Sequence, residues 1–149
     1  MKKILACFAV LMAIGMAPQA NAESVIYLFD NYPHQRMDGF SINGDNIELG
    51  FREFLHEKLG LASYKKGVNK IIVRNDGRAI LVRDMTWANK PYHDEMTLDL
   101  NDGEVYYIEL VTGPKSKLKL LKPSDGEKKL KKAEKDKNWQ IFPEKVYDN

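Results

Sequence analysis

The chain has 149 residues, of which 44% are hydrophobic and 30% charged, with a formal net charge of +2. That length fits one domain, and the composition excludes collagen, low-complexity chains and multi-span membrane proteins. The single cysteine, Cys7, excludes a disulfide scaffold.

Residues 1–22 open with Lys2 and Lys3, continue through the uncharged apolar run Ile4–Met16, and close on Ala20-Asn21-Ala22. A positive start, a short apolar run and an A-x-A site predict a secretory signal peptide cleaved after Ala22, hence a periplasmic or secreted protein. The run is shorter than the roughly 20 residues a spanning helix needs, so no transmembrane segment is expected after processing. Cys7 sits near the start of the run rather than after it, which argues against a lipid anchor. After cleavage the chain carries 21 basic and 21 acidic residues and no thiol.

Strand signals dominate from residue 23 to residue 121. Ser24 to Phe29 is apolar on both alternating faces and reads as a central strand. Three glycine-closed turns are expected to close hairpins. They are Asn43-Gly44 between Phe40–Ile42 and Ile47–Leu49, Asn75-Asp76-Gly77 between Val68–Arg74 and Arg78–Arg83, and Asn101-Asp102-Gly103 between Met96–Leu100 and Val105–Val111. Phe51 to Leu59 fits either a short helix or a strand. Lys117 to Leu121 alternates and is expected to form an edge strand. Ser124-Asp125-Gly126-Glu127 reads as a capping box opening a helix over Glu127–Lys137. Residues 138–149, with Pro143, are expected to be an irregular tail. The expected fold is therefore mostly β: an antiparallel β-sandwich of about seven to nine strands with one C-terminal α-helix, spanning residues 23–137.

The order of Val25-Ile26-Tyr27, Ile42-Asn43-Gly44, Lys66-Gly67 before Lys70-Ile71-Ile72-Val73, Gly103-Glu104-Val105-Tyr106-Tyr107-Ile108 and a late Leu118-x-Leu120 before a lysine-rich helix resembles the bacterial exported domain-of-unknown-function family 2846. The resemblance spans roughly residues 24–136. It implies a small envelope protein, often a lipoprotein, with a β-sandwich fold, and it carries no catalytic residues. The chain departs from the family in lacking a lipobox and in having Lys66-Gly67 where Pro-Gly is expected.

No motif for chemistry stands out. His34, His56 and His93 are too far apart for a zinc site, and His93-Asp94-Glu95 lies in an expected loop where adjacent side chains diverge. Neither a G-x-S-x-G elbow nor H-E-x-x-H occurs, and phosphate-cradling glycine loops are absent. No catalytic residue, cofactor or metal is expected.

Two features point to binding instead. Trp87 and Tyr92 lie in Thr86–His93, an expected inter-strand loop, and exposed aromatics there suit contact with a protein or a glycan. Residues 113–137 hold ten lysines against Asp125, Glu127, Glu134 and Asp136. Helical spacing puts Leu130 and Ala133 on one side and Lys128, Lys131, Lys132 and Lys135 opposite. The expected function is an exported, non-catalytic cell-envelope binding module. Its partner would be an envelope protein or an anionic envelope polymer or lipid surface, not nucleic acid, because the segment lacks arginine. A small secreted inhibitor or immunity-like protein is the alternative.

Overall fold

The computed structural model describes residues 22–32, 39–50, 52–56, 62–74 and 77–148. The signal-peptide expectation for residues 1–21 and the position of His34 lie outside these. Among the described residues there are twelve strands and one helix: β1 (Ser24–Asp30), β2 (Gly39–Ile42), β3 (Asp45–Asn46), β4 (Phe54–His56), β5 (Ala62–Tyr64), β6 (Lys66–Arg74), β7 (Gly77–Trp87), β8 (Lys90–Leu100), β9 (Val105–Val111), β10 (Lys117–Leu120), α1 (Pro123–Lys135), β11 (Trp139–Ile141) and β12 (Lys145–Asp148).

The first sheet runs β10-β9-β1-β6-β11, with β12 also pairing to β6; the second runs β3-β2-β7-β8; β4 and β5 form a separate pair. The mostly β, sandwich-like domain with one helix near the C-terminus is thus the observed fold. β1 is the central strand its two-faced apolar pattern implies, with even positions Ile26 and Leu28 and odd position Phe29 all buried. Ile26, Leu28, Ile71, Val73, Ile108 and Leu110 of the first sheet pack against Phe40, Ile42, Ala79, Leu81, Leu98 and Leu100 of the second. Each such side chain contributes about 1.5–3 kcal/mol.

The glycine turns divide into two kinds. Asn43-Gly44 closes a hairpin as expected, with φ of 52° and 85° at the two residues, but the returning strand is Asp45–Asn46 directly after the turn rather than Ile47–Leu49, which is not strand. The other two do not reverse the chain within a sheet. β6 lies in the first sheet and β7 in the second, and β8 lies in the second and β9 in the first. Asn101-Asp102-Gly103 therefore connects strands of different sheets, as does the step from Arg74 to Gly77, of which Asn75 and Asp76 lie outside the described residues. Having crossed, β9 returns beside β1 in parallel, Val25 facing Val105 and Leu28 facing Ile108. β11 and β12 also run parallel to β6. The first sheet is consequently mixed, while the second sheet and the β4–β5 pair are antiparallel throughout.

Three further expectations are corrected. Residues 86–93 are not a loop: they form the distal end of the β7–β8 hairpin, closed by Ala88-Asn89 with φ of 50° and 60°. Those are the angles of a two-residue hairpin turn, here adopted without glycine, which is why the sequence conceals it. The helix begins at Pro123 rather than Glu127. Lys122 is its N-cap, Pro123 occupies the first turn, and no side chain caps it, so the capping box is not used. Proline suits that position because its missing N–H would have no partner there. The expected irregular tail is structured: β11 and β12 add to β6, and the buried Tyr147 donates its hydroxyl to Asp45 Oδ2 at 2.9 Å, tying the last strand to the second sheet. Within the ambiguous Phe51–Leu59 segment, Phe54–His56 is strand.

Candidate functional site

The helix seats on the face of the first sheet that looks away from the second. Tyr27 and Tyr107 stack there with ring centroids 5.5 Å apart, and Phe29, Val68, Tyr107 and Ala133 form a second apolar cluster with Leu130 and Trp139 against it. Gly126 permits the close approach: a Cβ at that position would lie 2.1 Å from Tyr107 Cγ. Lys129 Nζ reaches down to Glu109 Oε2 at 2.7 Å and stands 5.7 Å from the centroid of Phe29. An ammonium over an aromatic face with a carboxylate beside it is a firm anchor.

This seating settles which lysines are used internally. Ala133 is buried and Leu130 half-buried, while Lys128, Lys131, Lys132 and Lys135 are exposed. Among the described residues, Lys129 is the one lysine of residues 113–137 that forms an ion pair. Lys132 and Lys135 lie in the last turn, where the carbonyl end of the helix dipole favours cations by about 0.3–1 kcal/mol. Lys128 and Lys131 receive no such benefit.

Lysines outside the helix join this face, and the search for a helical stripe missed them. Leu118 of β10 points into the core, so Lys117 and Lys119 point the other way, onto the helix side. Lys119 faces Glu109 directly across the β9–β10 pair. The alternation in Lys117-Leu118-Lys119-Leu120 was the available signal.

Trp87 and Tyr92 are brought together at the distal end of the β7–β8 hairpin, 6.5 Å apart and edge to face. Both are half-buried and on the strand faces that turn toward the first sheet. They lie on the second sheet, whereas the lysine helix packs on the first. His93-Asp94-Glu95 is strand, so its neighbours alternate: His93 meets Asp84 at 2.7 Å on the exposed side, and Asp94 turns inward. Among the described residues no group of three potential metal ligands converges.

Sequence reasoning also missed an interior polar cluster. Arg83 takes an inward position of β7 between Leu81 and Met85 and is 2% exposed. Its Nε donates to Asp94 Oδ2 at 3.0 Å, and its Nη2 to the Val111 carbonyl at 2.6 Å and to Ser116 Oγ at 2.7 Å. Ser116 in turn donates to Asp94 Oδ2 at 2.7 Å. Nearby, Arg52 Nη1 donates to the Tyr32 carbonyl at 2.8 Å and lies 3.4 Å from Asp30 Oδ2. Burial pushes the Asp30 carboxyl above its ordinary value, with Arg52 and then Arg83 pulling the other way. Each cation is matched to an anion, and Ser116 is held between the Arg83 guanidinium and the Asp94 carboxylate. The arrangement locks β7, β8 and the β9–β10 connection together.

No family model, curated protein or solved structure matches this chain.

Proposed function

We propose that this protein is an exported, non-catalytic domain of the cell envelope that binds an anionic macromolecule through the lysine face carried by α1. Export is supported by Lys2-Lys3, the apolar run and Ala20-Asn21-Ala22. A binding rather than a catalytic role is supported by the interior cluster of Arg83, Asp94 and Ser116, whose polar groups are committed to one another.

The observation that carries the binding reading is the separation of charge across the layers. Lys128, Lys131, Lys132 and Lys135 stand exposed on one side of the first sheet. The outward positions of β7 and β8, on the far side of the molecule, carry Asp84, Glu95 and Asp99 against Arg78. The lysines of α1 outnumber the exposed Asp125, Glu127 and Glu134 of the same helix, and a face with net charge of one sign attracts a partner of the other. Near an anionic surface each lysine contributes about 1 kcal/mol at low salt.

The test is the variant with Lys128, Lys131, Lys132 and Lys135 all changed to Gln. Co-sedimentation with anionic vesicles and with cell-wall sacculi is measured at low and at physiological salt. The variant is expected to lose most of the low-salt binding and its salt dependence, with an unchanged thermal midpoint. Wild-type-like sedimentation of the variant with both materials would show that the lysines merely solubilise the helix.

A further inference from the structure

We propose that the ligand of this face is a linear polyanion, and that it lies in the step between β10 and α1, held by Lys117 and Lys119 as well as by the helix lysines. The proposal rests on the reading above and names its ligand class and two further binding residues.

The argument is one of height. Lys119 is the cross-strand neighbour of Glu109, and Glu109 is the residue that holds Lys129 of the helix. Directly opposed residues have Cβ atoms about 5 Å apart, so Lys119 stands at the foot of α1. Lys117 is on the same face one repeat along the strand, about 6.7 Å away. Both are exposed. The exposed lysines of α1 stand on the far side of a helix some 10 Å thick, well above the sheet. The cations thus occupy two levels, one along a strand at the sheet edge and one along a helix beside it. A flat bilayer that touches the upper level does not reach the lower one. A flexible chain follows the step and meets both.

The helix argues against a membrane in a second way. Interfacial helices bind by burying an apolar face among the acyl chains. In α1 that face, Leu130 and Ala133, is already packed on Phe29, Val68, Tyr107 and Trp139. The outward side offers lysines with nothing apolar to insert.

The experiment compares Lys117→Gln/Lys119→Gln with Arg78→Gln/Lys90→Gln, which removes the same charge from the second sheet, where both side chains are exposed. The probes are long-chain inorganic polyphosphate and phosphatidylglycerol vesicles, with binding followed against salt concentration and folding checked by thermal denaturation. The β10 variant is expected to bind polyphosphate about tenfold more weakly at low salt, with a shallower salt dependence, because fewer counterions are released. It is expected to bind vesicles as wild type does, and the second-sheet variant to change neither by more than about twofold. Equal losses in the two variants would show that only net charge matters and overturn the step. Tighter binding to vesicles than to polyphosphate, insensitive to Lys117 and Lys119, would make a lipid surface the ligand and overturn the polymer while leaving the lysine face intact. A wild-type protein that binds neither probe nor sacculi would remove the functional reading itself.

Discussion

Asp30 and Arg52 show how a charged pair inside a small sandwich makes stability depend on pH. Burial is the larger influence on Asp30 and raises its carboxyl above 3.8; the Arg52 guanidinium opposes that rise. A raised carboxyl means that the folded state holds its proton at a pH where the unfolded chain has released it. This group's contribution to stability therefore declines as pH rises from the ordinary carboxylate value through the raised one. Arg52→Met removes the nearest cation and leaves the buried Asp30 with the Tyr32 N–H and the influence of Arg83. The variant is expected to lose about 3 kcal/mol at neutral pH, read from urea unfolding, and to lose progressively less as pH falls toward about 4. The double variant Asp30→Asn/Arg52→Met is expected to recover part of the loss and to abolish that pH dependence. A deficit that stays constant with pH would show that Arg52 acts through its packing and carbonyl contacts alone. Neither arginine was legible as a buried residue, because Arg83 and Arg52 read as ordinary surface charges until a facing strand or connection supplies the anion.

At the scale of elements, α1 separates local signals from packing. Ser124 and Glu127 have the spacing of a capping box, yet the helix starts at Pro123 and no side chain caps it. Ser124→Ala is therefore expected to change stability by less than about 0.5 kcal/mol, where a working cap would cost about 1 kcal/mol. Gly126→Ala tests the opposite case. Alanine is the better helix former by about 1 kcal/mol, but its Cβ would overlap Tyr107 Cγ and Cβ, close to the backbone and unable to swing away. The helix must lift from the sheet, and a net loss of about 1–3 kcal/mol is expected in urea unfolding. Stabilisation by Gly126→Ala would show that the seating described for α1 is wrong. The hairpins teach the same lesson. Asn43-Gly44 was readable because the two residues complete the turn between themselves. Ala88-Asn89 was not, because alanine rarely takes a φ of 50° and does so here under the register of two eleven-residue strands.

At the scale of the molecule, the layers run from the acid-bearing second sheet through the first sheet to the lysine-bearing helix. Such polarity is meaningful only if the protein meets its partner in the compartment proposed. Intact mass of protein recovered from the envelope fraction is expected to correspond to a chain beginning at Glu23 with no lipid added. A diacylglycerol-modified Cys7 would overturn soluble export and place the lysine face beside a membrane from the outset.

Residue alternation alone determined that the chain is mostly β, that Ser24–Phe29 runs centrally, that Lys117–Leu120 lies at an edge, and that a lysine-rich helix follows with Leu130 and Ala133 turned inward. These are properties of period and composition, carried by residues close together in the chain. The tertiary structure decided which strands share a sheet. An Asn-Asp-Gly segment turns the chain equally well within a sheet or between two, and the choice follows from burying both apolar faces of β1 at once. It also decided that residues 139–148 pair with β6, that Arg83 is buried, and that Lys117 and Lys119 stand beside α1. Each of these depends on contacts between residues distant in sequence.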